Sequence, residues 1–243
     1  MPGVLYLNFL ADHGFAARLA PESFWPQPLD ADSGKTLFTI LIFPLHDGRP
    51  VWAPAAVGRL APDLWQSNWR FYGTVRRLPG GERPGVFFWR TVTDSFCLTV
   101  FGLHVARCFP VRRAHAMGVR RDGQALHAFV DPGGGAAPKL SFRGRLTDNA
   151  GVPAPLRPSF HSFGDYTRWI ADQHLSLTVW DHDVVVQDMH LALDRARFTN
   201  VTAESVSIPA LREFVEDPGD PLSCFWVEDL EVSLDSIHTL PRY

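Results

Sequence analysis

Short runs of β-branched and aromatic residues, separated by turn residues, dominate the hydrophobic pattern along the chain. Such runs are typical of β-strands, whose side chains alternate between two faces. Asp122-Gly123 lies between two of the runs and is a strong hairpin signal. The pattern predicts strands at residues 35–43, 68–75, 86–91, 114–121, 124–130, 140–146, 175–180, 184–193 and 225–234.

Helical patterns are fewer than strand patterns. Asp94 or Ser95 can cap a helix that begins at residue 96 and runs to about residue 109, where Pro110 would end it. Residues 162–173 predict a second helix with Phe163, Tyr166 and Ile170 on its buried face and Trp169 as a further candidate for that face. Residues 16–19 and 209–215 predict two shorter helical pieces.

Many strands with few, scattered helices predict an α+β, β-rich fold. We expect an antiparallel sheet, closed into a barrel or doubled on itself, with a few helices packed outside. A structure of this kind encloses a central cavity. Two Pro/Gly-rich patches, 76–85 and 131–139, are too short to separate domains, so we expect one domain over residues 1–243.

Composition limits the partners rather than the fold. The chain has 243 residues, 46% of them hydrophobic, and a net charge of −3, which argues against a nucleic-acid partner or a membrane surface. Its three cysteines lack metal-binding spacing, and the apolar run near the N-terminus is too short to span a membrane. We therefore expect a cytoplasmic protein with a small-molecule ligand or substrate, whose oligomeric state, a homo-oligomer included, stays open.

Several short motifs occur in an order and spacing that resemble the acetoacetate-decarboxylase-like superfamily, and most closely a bacterial branch that lacks the Schiff-base lysine. The match covers nearly the whole chain, and it implies the fold of that superfamily with its internal cavity. The motifs are LAP (19–21), a strand after a glycine turn (34–43), NWRFY (68–72), RPGVFFW (83–89), TDS (93–95), CFP (108–110) and a late hairpin strand that contains His190.

The resemblance also marks a departure. In the decarboxylases, a segment like Phe109-Pro110 is followed by two lysines, of which the first forms a Schiff base and the second lowers the pKa of the first. Here Val111 and Arg112 occupy these places, and an arginine cannot act as the amine nucleophile. Only two lysines occur in the chain, Lys35 and Lys139, and both lie in polar turns that we expect to be exposed.

Strand parity selects candidate ligand contacts. Arg70 and Tyr72 share one face of their strand, so Arg70 either holds an anionic group in the cavity or extends to solvent at the sheet edge. Trp89 and Arg90 lie in the apolar run VFFWRT, whose two faces are both partly buried, and Phe88 and Arg90 should share a face. Arg90 in the cavity is therefore a further candidate.

The junction after CFP supplies the candidates for catalysis. Arg112 and Arg113 alternate across their strand, so one can face the cavity; alternatively, both are exposed cations at a helix C-terminus. His115 shares the parity of Arg113 and could move a proton, as could His190. His182 and His190 are too far apart in sequence to suggest a metal site.

We expect an enzyme that acts on a carbonyl- or carboxylate-bearing molecule by acid–base chemistry without a Schiff base, in secondary metabolism for example. Dehydration, cyclisation, aldol-type steps and non-covalent decarboxylation all fit, with no cofactor and no metal. The alternatives are a non-catalytic carrier of an apolar or anionic molecule and a protein without a ligand. The candidate residues are Arg112, His115 and His190 for catalysis, and Arg70, Tyr72, Trp89, Arg90 and Arg113 for substrate binding.

Overall fold

Fourteen strands in one hydrogen-bonded sheet organise the protein in a computed structural model. The structure describes residues 3–30, 33–46, 63–101, 111–149, 151–180 and 183–240. The strands are β1 (Val4–Asp12), β2 (Phe24–Pro26), β3 (Lys35–Leu45), β4 (Leu64–Val75), β5 (Arg83–Thr93), β6 (Val111–Arg113), β7 (Ala116–Asp122), β8 (Ala125–Asp131), β9 (Leu140–Thr147), β10 (Leu175–Trp180), β11 (Asp183–Ala192), β12 (Arg197–Ser207), β13 (Ser223–Glu228) and β14 (Glu231–Thr239).

The strand order confirms the predicted β-rich class and corrects its details. The order is β14-β11-β10-β5-β4-β3-β1-β13-β12-β9-β8-β7, with β2 paired to β4 and β6 paired to β5. Within the described residues, this path has two ends and does not close into a barrel. The sheet is also mixed, because β5 pairs in parallel with both β6 and β10. Parallel neighbours need a crossover connection, which local hairpin signals do not reveal.

Three α-helices are described. They are α1 (His13–Leu19), α2 (Phe96–Phe101) and α3 (Phe163–Ala171). Ser162 caps α3 by accepting a hydrogen bond from the amide of Asp165, which agrees with the predicted second helix. The predicted helix after Ser95 begins as expected, and residues 102–110 lie outside the described part. None of the described helices is both long and apolar enough to cross a bilayer.

The sheet separates two hydrophobic cores. Strand β1 contributes to both: Leu5 and Leu7 pack into one core, whereas Tyr6 packs into the other. The second core also contains Ile170 and Tyr166 of α3, so this helix covers one face of the sheet. Because β1 is buried on both faces, its sequence is a nearly continuous apolar run, interrupted by the buried Asn8, rather than an alternating one.

An irregularity in β5 changes which side chains face the second core. Arg70 of β4 pairs with Phe88, whereas its neighbour Trp69 pairs with Arg90, so Trp89 is an extra residue in β5. Such a β-bulge reverses the alternation of faces beyond it. Phe88 packs into the second core, while Trp89 packs against the first. The expectation that Phe88 and Arg90 share a face is therefore wrong.

Candidate functional site

A cavity of about 150 Å³ lies against the second core, where the curved sheet brings distant strands together. Most of the cavity wall is apolar, and its polar groups come from β1, β4 and β11. The lining residues are Val4, Tyr6, Leu41, Phe43, Leu45, Gln66, Asn68, Arg70, Phe88, Gln187, Met189, Leu191 and Leu230. This composition is typical of a small-molecule site, in which a few polar groups orient an otherwise apolar ligand.

Arg70 is the cation of this cavity. Its side chain is 3% exposed. Its Nε donates to the hydroxyl of Tyr72 at 3.2 Å, and its Nη2 donates to the same hydroxyl at 2.9 Å and to the carbonyl of Ile170 at 2.8 Å. Among the described residues, no carboxylate forms an ion pair with it. A buried charge normally has such a partner, so within the described part of the chain Arg70 holds an uncompensated positive charge at the cavity wall.

Tyr72 contacts Arg70 rather than the cavity. Its hydroxyl accepts the two hydrogen bonds from Arg70 and lies 3.2 Å from the carbonyl oxygen of Ile170, to which it donates. Its ring is stacked on Trp169 at a centroid distance of 5.2 Å. Arg70 and Tyr72 thus share a face, as the sequence predicts. Of this pair, only Arg70 lines the cavity.

Tyr6 is the second polar group beside the cation. It is fully buried, and its ring lies 5.8 Å from the Arg70 guanidinium and stacks on Phe225 at 4.5 Å. Within the described part of the chain, its hydroxyl has no hydrogen-bond partner of good geometry. Burial raises the pKa of the Tyr6 phenol, and the charge of Arg70 opposes part of that rise. At neutral pH the phenol is therefore a hydrogen-bond donor, not a base.

Three amide side chains, those of Gln66, Asn68 and Gln187, complete the polar part of the wall. Gln66 donates to the side-chain oxygen of Asn68 at 2.8 Å, and Ser176 donates to that of Gln187 at 3.0 Å. Sequence reasoning missed these amides, although Gln66 and Asn68 have the same parity as Arg70. No His, Lys, Cys, Asp or Glu is found among the described lining residues.

Val111 lies on the cavity side of the sheet. It pairs with Thr91, which pairs with Asn68 of the cavity wall, and directly paired residues share a face. The Thr91 hydroxyl is buried and has no hydrogen-bond partner in the described regions. The position that the resemblance equates with the Schiff-base lysine therefore faces the cavity side, but it carries an apolar side chain.

The neighbouring arginines do not line the cavity. Arg112 and Arg113 are both exposed. Arg112 pairs with Val92, whose side chain belongs to the first core on the opposite side of the sheet. Arg113 places its guanidinium 5.3 Å from the ring of the exposed Phe96. Both arginines are thus exposed, as in the alternative expectation, whereas the helix C-terminus that this alternative names lies outside the described residues.

His115 also lies apart from the cavity. Its side chain is exposed, and its backbone amide donates to the carbonyl of Asp131 at 2.8 Å. Strand β6 ends at Arg113, so parity within that strand does not extend to His115. The structure does not bring His115 together with Arg70.

Trp89 and Arg90 both face away from the cavity, Trp89 by the ordinary alternation after Phe88 and Arg90 because the bulge pairs it with Trp69 of the first core. The Arg90 guanidinium lies 3.9 Å from the centre of the Trp89 ring. Burial and the charge of Arg112 lower the pKa of Arg90, while Glu213 opposes the shift. The two candidates thus form part of an aromatic and cationic cluster on the other side of the sheet.

His190 points outward between two cavity residues, Met189 and Leu191. It is exposed, and its ring lies 6.3 Å from that of His174, which pairs with Asp172 at 2.8 Å. Among the residues that the structure describes, no three potential ligands are grouped as a metal site. His182 lies outside those residues.

Neither lysine is near the cavity wall. Lys35 forms an ion pair with Glu216 at 3.0 Å, and Lys139 is exposed. Cys224 is a free, buried thiol whose pKa is raised, chiefly by burial. Cys224 therefore remains a protonated thiol, which is a poor nucleophile.

No family model and no curated protein matches the chain. The enduracididine biosynthesis enzyme MppR, complexed with pyruvate, is 13% identical with a TM-score of 0.56, over 98% of this chain and 88% of that one. Acetoacetate decarboxylase from Legionella pneumophila is 9% identical with a TM-score of 0.56, over 98% and 82%. An acetoacetate-decarboxylase-like enzyme from Sphingomonas wittichii RW1 is 12% identical with a TM-score of 0.51, over 96% and 92%.

Identities this low carry the fold and not the activity. They confirm, at the level of the fold, the resemblance that the order of motifs predicts. Nearly the whole chain takes part in the match. The protein therefore has the fold of acetoacetate decarboxylase and of the enzymes that resemble it.

Proposed function

We propose that this chain is an enzyme that binds a small carbonyl- or carboxylate-bearing molecule in the cavity and acts on it without a Schiff base. One observation carries the proposal: Arg70 is 3% exposed, lines the cavity and has no acidic partner among the described residues. Keeping an uncompensated cation in such surroundings costs free energy. An anionic ligand offsets that cost.

The chemistry follows from the donors beside the cavity. The Arg70 guanidinium and the Tyr6 hydroxyl both stabilise negative charge on an oxygen atom, as an oxyanion hole does. Negative charge develops on oxygen when a carbonyl compound gives up an α-proton to water and becomes an enolate. It also develops when the compound loses carbon dioxide without a covalent intermediate, and the enolate that results then takes a proton from water. A low-dielectric, largely apolar wall strengthens such interactions.

The positions of the lysines support a route without a Schiff base. Lys35 is held in a surface ion pair, Lys139 is exposed, and Val111 replaces the lysine that the resemblance leads one to expect. After incubation with acetoacetate or pyruvate and borohydride, we expect no mass increase on either lysine. A reduced adduct on Lys35 or Lys139 would contradict this part of the proposal.

The binding test replaces the buried cation with an apolar side chain. Arg70→Met should weaken the binding of pyruvate and acetoacetate, measured by calorimetry, by about a hundredfold or more. Arg112→Met is the matched control, since Arg112 is exposed and pairs with Val92 away from the cavity. Circular dichroism of both variants separates loss of binding from loss of folding. Equal affinities in the wild type and the folded Arg70→Met protein would overturn the proposal.

The catalytic test follows proton exchange. In D₂O, the wild type should accelerate deuterium incorporation into the methyl group of pyruvate or the methylene group of acetoacetate, as followed by NMR. Tyr6→Phe removes the donor that faces the developing charge and should slow this exchange about ten- to a hundredfold at saturating ligand. Exchange at the rate of buffer alone would contradict a catalytic function.

A second candidate function is a carrier that binds the same ligand without turning it over. The described cavity wall favours this candidate, because it contains no side chain that accepts a proton near neutral pH. A carrier predicts binding that depends on Arg70 together with no exchange above background. The two tests therefore separate the enzyme from the carrier.

A further inference from the structure

We propose that Tyr72 is a positioning residue, which fixes one edge of Arg70 so that the opposite edge receives the single carboxylate of a ligand with an apolar body. This inference rests on the proposed function, because it concerns the same anion site. It goes further by naming the charge and the character of the ligand, and by assigning a role to a side chain that does not line the cavity.

The Arg70 guanidinium has N–H donors that the protein does not use. A guanidinium carries five N–H bonds in a fixed planar fork. In Arg70, the Nε–H and both Nη2–H groups are used by the Tyr72 hydroxyl and the Ile170 carbonyl. Among the described residues, no acceptor of good geometry takes a hydrogen bond from Nη1, although the neighbouring Tyr6 hydroxyl interacts with the guanidinium. One edge of the fork is thus occupied by the protein, and the Nη1 end remains for a ligand.

The edge of Arg70 that binds Tyr72 and Ile170 is held rigidly. Ile170 lies in the last turn of α3, where carbonyl groups lack intrahelical partners and carry the negative end of the helix dipole. The Tyr72 hydroxyl donates to this same carbonyl at 3.2 Å while it accepts from Arg70. Trp169 stacks on the Tyr72 ring at 5.2 Å. Helix, phenol and guanidinium therefore form one connected unit, without a neutralising carboxylate.

The rest of the cavity wall is largely apolar. Arg70 is the sole cationic residue among the described lining residues, and nine of the thirteen residues are aliphatic, aromatic or methionine. A second anionic group on the ligand would face this apolar surface, at a desolvation cost. A cavity of about 150 Å³ has the size of one that holds benzene. The ligand is therefore a monocarboxylate with a compact apolar body.

Benzoate, benzamide and terephthalate probe this inference by calorimetry. Benzoate and benzamide have the same shape but differ in charge, and terephthalate adds a second carboxylate at the far end. We expect the wild type to bind benzoate about tenfold or more tightly than either of the others. Equal binding of benzoate and terephthalate would overturn the monocarboxylate preference.

Tyr72→Phe tests the positioning role, because it removes the hydroxyl and keeps the stacked ring. We expect it to weaken benzoate binding about tenfold or more and to leave benzamide binding unchanged. A merely structural role would weaken both ligands in parallel. Should this variant not fold, Trp169→Leu retains the hydroxyl but removes the stacking partner, and it should reduce the benzoate preference in the same direction.

Arg70→Met makes the outcomes distinguishable. If it abolishes benzoate binding while Tyr72→Phe leaves that binding intact, the positioning role is wrong and the proposed function stands. If neither variant changes benzoate binding, both proposals fail. If both variants lose the benzoate preference and keep benzamide binding, both are supported.

Discussion

Arg70 of β4 and Arg112 of β6 differ in their surroundings rather than in their chemistry. Arg70 is buried between α3 and an apolar cavity, with neutral oxygen partners. Arg112 is exposed at a short strand that follows the motif CFP. The sequence motif marks Arg112, yet the buried cation that lines the cavity is Arg70. A charged residue whose strand neighbours are all buried is therefore a better indicator of the cavity wall than an unusual charge in a familiar motif.

Val111 and Arg112 allow a direct test of which side of β6 faces the cavity, because adjacent residues of one strand face opposite sides of the sheet. Val111→Lys should place an amine on the cavity side, where burial lowers its pKa and leaves it neutral. With acetoacetate and borohydride, we expect a reduced adduct that is absent from the wild type. The amine nitrogen bonds to the ketone carbon, water leaves, and borohydride reduces the imine.

Arg112→Lys is the matched control for this gain of reactivity. Its amine should remain exposed and charged, and it should give no adduct under the same conditions. A folded Val111→Lys protein without an adduct would show that residue 111 does not reach the cavity.

Asn68→Asp changes the cavity from cationic to neutral with almost no change in shape. Asn68 lines the cavity on the face of Arg70. A carboxylate there repels an anionic ligand and compensates the guanidinium, so pyruvate affinity should fall about a hundredfold. Thr93→Ala serves as a control one row away, since Thr93 is buried but does not line the cavity. Unchanged affinity in Asn68→Asp would locate the ligand elsewhere.

The protein should lose stability at alkaline pH because of its buried tyrosines. The exposed residues Arg112 and Arg113 should not contribute to this loss. Burial raises the pKa values of the Tyr6 and Tyr166 phenols, so the unfolded chain ionises first as the pH rises. Their contribution to stability is complete below about pH 10 and falls by about 1 kcal/mol per phenol over the next pH unit. Thermal melts from pH 8 to pH 11 should show this loss.

Tyr6→Phe should reduce that alkaline loss, and Arg112→Ala should leave it unchanged. Parallel pH profiles for the wild type and Tyr6→Phe would contradict the predicted role of Tyr6.

Arg112→Ala and Arg113→Ala should have the smallest effects. Both side chains are exposed, and no ion pair to either is found among the described residues. Substitutions at such positions change the free energy of unfolding by less than about 0.5 kcal/mol. Urea denaturation measures this change, and a loss above about 1 kcal/mol would mean that the junction supports the fold.

The sequence predicts the strands well where turn residues bound them, and it predicts the shared face of Arg70 and Tyr72 because β4 is regular between them. It misses β1, since a strand buried on both faces has no polar alternation. It also misses β12, whose residues are mostly exposed or half-buried and of low hydrophobicity. Strand parity alone predicts the faces only within an uninterrupted ladder.

The candidate site is predictable in part for the same reason. Arg70 follows from parity, and the amides Gln66 and Asn68 are available from the same parity. The contribution of β11 to the cavity depends on how the sheet curves, which no local pattern encodes. The placement of His115 and His190 depends on where β6 ends and which side of β11 faces outward, and both are properties of the assembled sheet.

The bulge at Trp89 has a consequence for how related sequences should be compared. One additional residue in β5 keeps Arg90 opposite Trp69 on the far side of the sheet and leaves Arg70 as the one cation among the described lining residues. In a regular ladder through the same residues, Arg90 would pair with Asn68 and lie on the cavity side, where it would bring a second cation toward the ligand. The bulge therefore limits the charge that a ligand of this cavity should carry. An alignment that treats position 89 as a neutral gap would overlook this effect.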